Sequence, residues 1–182
     1  MKASDYIADV LTEKKVPAVF ELAGGMITHM LDSLCIKRSV EVVSMHHEQA
    51  AAFAAEATGR ITGIPGIAMA TSGPGATNLL TGIGSCYFDS SPSIFLTGQV
   101  NRHEQKGTRP VRQLGFQETD IVAMASPITK KATSVNDVQQ LPNLLEDAFI
   151  SRPRDVLVRC YWTSRWMSSA KMSTRHGQQQ HR

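Results

Sequence analysis

Apolar and polar positions along the chain alternate between a helical and a strand rhythm. In "SDYIADVLTEKK", Tyr6, Ile7, Val10 and Leu11 recur at helical spacing, with Ser4 as the expected N-cap. "AVFEL" then reads as a short buried strand ending at "AGG", and "MITHMLDSL" as a helix. "VEVVSM" is strand-like and leads into "HHEQAAAFAAEATGR", a helix rich in alanine. "GIAMAT" is an apolar strand that runs into "SGPGATN" and a helix through "LLTGIGSCYF"; "SIFLTGQV" is a further strand. "NRHEQKGTRPVRQLGFQET" has no period and reads as a long loop of the kind that usually carries function. "SPITKKAT", the helix "NDVQQLPNLLEDAFI" and the strand-like "DVLVRC" follow.

Strands separated by helices predict an α/β fold: a doubly wound, mainly parallel sheet with helices on both faces. Ligands of such sheets gather at the carboxyl ends of the strands. The turns at Gly24-Gly25, Glu48, Gly73-Pro74-Gly75 and Gln99 all follow strands, so they are expected along one edge.

Composition changes this picture only at its margins. The chain has 182 residues, enough for one domain with a proper core, and 42% hydrophobic content. The first twenty residues carry Asp5, Asp9 and Glu13 and no long apolar run, so neither a signal peptide nor a membrane span is expected. Cys35, Cys86 and Cys160 are odd in number and scattered, which fits a reducing compartment, and the expected location is the cytoplasm. The net charge of +3 divides unevenly, with residues 1–150 holding 12 Lys or Arg against 15 Asp or Glu, and residues 151–182 holding seven against one. The excess belongs to the tail and gives no support for nucleic-acid binding by the folded part.

Two turns carry candidate chemistry. "TSGPGATN" would expose backbone N–H groups at a helix start, suited to an anion or a polar ring edge; it also serves simply as a tight turn. It matches neither a Walker A motif nor a dinucleotide fingerprint. Glu48 heads the alanine helix, where an acid can cap the helix dipole or act on a ligand. His46 and His47 are adjacent on an extended segment and point apart, so no metal site is expected.

Taken in series, "HHEQAAAFAAEATGR", "TSGPGATNLLTGI" with its helix closing at Asp89-Ser90-Ser91-Pro92, "LTGQV", "GFQETDIV" and "SPITK" carry a resemblance. Over about residues 3–150 the chain resembles the N-terminal, pyrimidine-binding domain of thiamine diphosphate-dependent enzymes, most of all the acetolactate synthase catalytic subunits. The resemblance implies that Glu48 meets N1′ of the cofactor's pyrimidine and drives the amino-to-imino conversion that activates it, within apolar walls that strengthen the proton sharing. It implies Gly24, Pro74 and Asn78 as further cofactor contacts, Gln99 as a catalytic residue near the reacting centre, and Phe116, Gln117 and Lys130 at the substrate. On the residues alone, Phe116 is equally a packing residue and Lys130 a solvated surface charge. Leu22-Ala23 and "EATGR" depart from the aromatic-bearing sequences usual at those places.

The resemblance further implies a 2-oxo acid substrate and a homodimer or a partner diphosphate-binding domain. Mg²⁺, with or without FAD, belongs to the intact enzyme and not to this chain, which has no Gly-Asp pair. Residues 1–160 are expected to form the pyrimidine-binding domain and 161–182 an irregular tail. Re-read from the third base of each codon, Cys160-Tyr161 and Tyr161-Trp162 both give leucine, and Trp162-Thr163 and Trp166-Met167 give aspartate. The family's continuation emerges, so a frameshift near Phe149 or Ile150 is expected. Two rivals stand beside the synthase reading: a pyrimidine-domain subunit of a two-chain decarboxylase, and a non-enzymatic nucleotide- or flavin-binding module.

Overall fold

The computed structural model describes residues 1–150 and, by its backbone, the segment 158–164. Helix α1 (Ala3–Glu13) buries Ile7, Val10 and Leu11, the positions its apolar spacing selects. Its N-cap is Lys2, earlier in the chain than expected. Ser4 lies inside the helix instead, buried, where its hydroxyl accepts a 2.9 Å hydrogen bond from Ser33. Strand β1 (Ala18–Leu22) is followed by α2 (Thr28–Lys37), β2 (Glu41–Ser44), α3 (Glu48–Thr62) and β3 (Gly66–Ala70). The helix expected through "LLTGIGSCYF" is α5 (Leu80–Asp89), and a further short helix, α4 (Pro74–Asn78), forms within "SGPGATN" itself, the segment expected as a turn. Then come β4 (Ser93–Gln99), α6 (Ile121–Ala125), β5 (Lys131–Val135), α7 (Leu141–Ile150) and β6 (Val158–Ser164). Only the later part of "NDVQQLPNLLEDAFI" is α-helical; Val138–Gln140 form a 3₁₀ turn, and Pro142 sits in the first turn of α7, where a missing N–H costs nothing.

The six strands form one sheet in the order β2-β1-β3-β4-β6-β5. Every pairing is parallel. Strand β6 slots between β4 and β5, with Ser93 opposite Val158 and Gln99 opposite Ser164. Val158, Arg159 and Cys160, the described part of "DVLVRC", thus join the sheet, and the strand continues to Ser164, past the expected boundary at 160. The expected irregular tail otherwise lies outside the described residues.

Helices cover both faces. On one, α1, α2 and α7 bury Ile7, Leu11, Met30, Leu34 and Leu145 against Val19, Ile67, Met69, Ile94 and Leu96. On the other, α3 and α5 bury Ala51, Ala52, Ala55, Ile83 and Cys86 against Ala68, Ala70 and Phe95. The alanines let α3 sit unusually close to its neighbours. A Cβ on Gly66 of β3 would fall 1.8 Å from the Ala55 carbonyl oxygen, and one on Gly82 of α5 would fall 2.3 Å from the Ala52 Cβ. Small residues on both sides of each contact allow the approach, and it fixes the depth at which the head of α3 is held. Because the sheet is parallel, the segments leaving β1, β2, β3 and β4 all emerge at one edge, as the pattern of turns predicts.

Candidate functional site

Glu48 occupies the first position of α3 and is 6% exposed. It is not the cap. That place belongs to His47, whose extended backbone precedes the helix and whose Nδ1 accepts the Gln49 N–H at 3.1 Å. The Glu48 carboxylate is therefore released from capping and turns toward α4, where Asn78 donates from Nδ2 to Oε2 at 2.9 Å. Oε1 makes no hydrogen bond among the described residues, and it is not among their sealed, unpartnered oxygens. His46 and His47 are both exposed, and no group of three metal-ligating side chains occurs among the described residues.

The glycine turn after β3 frames this carboxylate. A Cβ on Gly75 would lie 3.3 Å from Glu48 Oε1 and 2.8 Å from Thr71 Cγ2. A Cβ on Gly24, in the turn after β1, would lie 2.4 Å from Thr71 Cβ. Thr71 is thus the point where two of the expected turns meet, and its hydroxyl accepts the Met26 N–H at 3.4 Å. Gly73 adopts φ 61° and ψ −125°, a backbone state costly for any residue with a side chain. Its bare Cα admits Gln117, whose Cβ would be 2.6 Å from a Cβ at Gly73. Pro74 follows, exposed at the start of α4.

Gln99, at the end of β4, is 7% exposed and clasps the following loop at both ends. Its Oε1 accepts the Val100 N–H at 3.0 Å, and its Nε2 donates to the Thr119 carbonyl at 3.1 Å. The loop itself is ordered by Glu118, whose two oxygens accept the backbone N–H groups of Lys106 and Leu114 at 2.8 and 2.9 Å. Phe116 stands 76% exposed beside Gln117, so the packing alternative does not hold within this chain.

The structure thus gathers Gly24, Glu48, Pro74, Asn78, Gln99 and Gln117 at one edge. Lys130 is not gathered there. It precedes β5, whose first residue pairs with Arg159 and through it stands level with Ile94, near the amino end of β4. That is the end of the sheet away from Gln99, about 17 Å along the strand at 3.3 Å per residue.

Sequence reasoning did not single out Thr71, Glu118 or Glu21. Glu21 is an acid within the apolar "AVFEL", 2% exposed, hydrogen-bonded to the Ser44 hydroxyl and with Oε2 unpartnered. A charged residue inside a short apolar strand is a readable signal, because acids are seldom fully buried. Glu56, the second acid of α3, is a structural residue: its Oε1 accepts from Ser91 Oγ at 3.0 Å and lies 3.5 Å from Arg60 Nη1.

A comparison with known protein families decides what this edge belongs to. Residues 1–124 match the thiamine pyrophosphate enzyme, N-terminal TPP binding domain. The chain belongs to this family. Among curated proteins it is 40% identical over 161 residues to a chloroplastic acetolactate synthase of Arabidopsis thaliana, covering 86% of this chain and 23% of that protein. It is 34% identical over 162 residues to the large subunit of acetolactate synthase isozyme 3 of Escherichia coli strain K12, covering 87% and 27%. It is 38% identical over 149 residues to the acetolactate synthase of Bacillus subtilis strain 168, covering 81% and 25%. The chain spans about a quarter of the length of these relatives. As a thiamine pyrophosphate-binding domain it has the α/β architecture expected of the pyrimidine-binding half of such enzymes. No helix among the described residues is long and apolar enough to cross a membrane.

Proposed function

We propose that this chain holds the pyrimidine end of thiamine diphosphate in an acetolactate synthase-like enzyme, one that decarboxylates a 2-oxo acid and joins the product to a second one. The observation that carries the reading is Glu48: a buried carboxylate with one oxygen fixed by Asn78 and the other unengaged beside Gly75. This donor set fits an aminopyrimidine. Oε1 is placed to share a proton with a ring nitrogen, and the absence of a Cβ at Gly75 keeps that oxygen uncovered. When bound, the cofactor supplies a stabilised carbanion equivalent to the 2-oxo acid. Gly24 and Asn78 would line the ring, with Pro74 at the mouth of the turn. Gln99 and Gln117 would face the reacting end, and Phe116 would extend into the space beyond.

The diphosphate grip through Mg²⁺, and FAD where it is used, are assigned to other domains or to a partner chain. Docking of such a partner, or of a second copy, is supported by Phe53, Ile61 and Phe88, exposed at 43%, 84% and 79% on α3 and α5. The scattered cysteines support a cytoplasmic setting. Residues 161–182 are proposed to stand in for a continuation of the family pattern.

The test is calorimetric titration of the chain with thiamine diphosphate and with AMP. Glu48→Gln is expected to weaken thiamine diphosphate roughly 10- to 100-fold, the worth of one charge-assisted hydrogen bond, and to leave AMP unaffected. Tight AMP or FMN binding indifferent to thiamine diphosphate would favour the nucleotide-binding module instead.

A further inference from the structure

The head of α3 is capped by an uncommon acceptor. His47 has an extended backbone, at φ −160° and ψ 145°, and its ring Nδ1 accepts the Gln49 N–H at 3.1 Å. The usual caps, asparagine, serine and threonine among them, offer a side-chain oxygen that stays an acceptor throughout the neutral range. An imidazole nitrogen does not. It accepts only while the ring is neutral, here with the ring proton on Nε2, and in the imidazolium both nitrogens are donors. His47 is exposed, so solvent protons reach it directly.

Protonation of His47 has two consequences for Glu48, the next residue. The Gln49 N–H loses its acceptor, and a positive charge appears at the helix end where the dipole favours a negative one. Both compete for the Glu48 carboxylate, which is bonded to Asn78 through Oε2 and leaves Oε1 unengaged beside Gly75. The first turn is otherwise tied down by groups that do not titrate. Gln49 Nε2 donates to Thr81 Oγ1 of α5 at 3.0 Å, and the Ala51 N–H donates to the His47 carbonyl at 3.2 Å.

Few other titratable groups surround this helix head. Of the elements packed most closely on α3, α4, β3 and β4 carry none. On β1, Glu21 is bonded to the Ser44 hydroxyl. On α5, Cys86, Tyr87 and Asp89 lie toward the far end, where Asp89 meets Arg60 in the last turn of α3. Within α3, Glu56 lies two turns on and is held by Ser91. His46 is the remaining neighbour, exposed and one residue away.

We propose that His47 is a positioning residue for Glu48. As a neutral cap it leaves the carboxylate to Asn78 and to a ligand; as a cation it draws the carboxylate back to the helix end, so that binding at Oε1 weakens in acid. The ligand's identity rests on the cofactor reading above, whereas the switch at the helix head does not.

The test follows the His47 ring, the Gln49 backbone amide and the Asn78 side-chain amide by NMR from about pH 8 to about pH 5, the range in which histidines change charge. In wild type the three are expected to move together. In His47→Asn, whose side-chain oxygen caps at either pH, the Gln49 and Asn78 signals should hold still, and in His46→Asn they should move as in wild type. A second arm titrates thiamine diphosphate calorimetrically at both ends of that range. Acidification is expected to weaken binding about fivefold more in wild type than in His47→Asn, the worth of one helix cap. His47→Ala, uncapped throughout, should bind more weakly than His47→Asn by a similar factor at both ends. Gln49 and Asn78 signals that ignore the His47 titration, or an acid loss of binding that His47→Asn leaves intact, would overturn the proposal. Failure of thiamine diphosphate to bind at either pH would sink the cofactor reading instead, and the NMR arm alone then decides the role of His47.

Discussion

Asn78→Ala probes the contact on which the site depends. Asn78 Nδ2 stands 2.9 Å from Glu48 Oε2, and the acid is only 6% exposed, so solvent screens the bond little. A hydrogen bond to a charged group is worth about 1.5–3 kcal/mol, and its loss would leave Oε2 without its donor. Asn78→Ala should therefore destabilise the chain by about 2 kcal/mol. With a urea slope of about 2 kcal/mol/M for a domain of this size, the midpoint should fall by about 1 M. Glu48→Ala removes the bond together with the cost of burying the carboxylate, so the sign of its own effect decides nothing. The coupling does. In a double-mutant cycle followed by circular dichroism, Asn78→Ala should cost about 0.5 kcal/mol once Glu48 is already alanine, giving a coupling near about 1.5 kcal/mol. A coupling below about 0.5 kcal/mol, the scatter of independent sites, would mean that Asn78 does not hold the acid. The assignment of Oε1 as the one available oxygen would then have no basis.

Gln99→Ala removes both clasps on the 101–119 loop, so trypsin should cut after Arg102, Lys106 or Arg112 several-fold faster than in wild type. Limited digestion read by mass spectrometry checks this, and unchanged cleavage rates would show that the loop is held by other means. Burial pushes the Cys86 thiol up from its ordinary 9.0 to about 12, with the Ser93 hydrogen bond opposing in part. At pH 8 iodoacetamide should therefore label the exposed Cys35 and spare Cys86 until the chain unfolds. The native state keeps a proton that the unfolded chain releases, so this stabilisation is complete below pH 9.0 and is lost as pH rises toward about 12. Thermal melts from about pH 8 to about pH 11 should show a shallower alkaline decline for Cys86→Ala than for wild type, and parallel declines would refute the assignment.

What the sequence disclosed was whatever has a period. "AVFEL" coincides with β1, and the alanine run with α3, because burial on one or both faces leaves a repeating mark on the chain. The turns at one edge followed from the parallel alternation. Features made by single side-chain contacts left no such mark. Lys2 rather than Ser4 caps α1 because Ser4 finds Ser33 across the α1–α2 contact, which is 29 residues away. The pinning of the loop by Glu118 through Lys106 and the meeting of two turns on Thr71 are likewise non-local. The slot of β6 between β4 and β5 is a choice among edges that local propensity does not make.

Three buried acids, Glu21, Glu48 and Glu56, show why burial alone does not mark a functional carboxylate. Glu56 is engaged by Ser91 and Arg60, so its charge is used within the fold. Glu21 is engaged by Ser44, and its second oxygen is sealed inside the protein, where no ligand reaches it without rearrangement. Glu48 combines an oxygen fixed by Asn78 with one that is neither bonded nor sealed and that lies against the glycine turn after β3. The difference comes from backbone, not from the acids themselves. His47 takes over the capping of α3, the alanine and glycine contacts set the helix deep against the sheet, and Gly75 withholds the Cβ that would cover Oε1. An acid placed one position earlier would be used up as the cap, and with bulkier neighbours α3 would ride higher on the sheet. The run of small residues and the acid at its head are therefore one device: the first sets the depth at which the second is held.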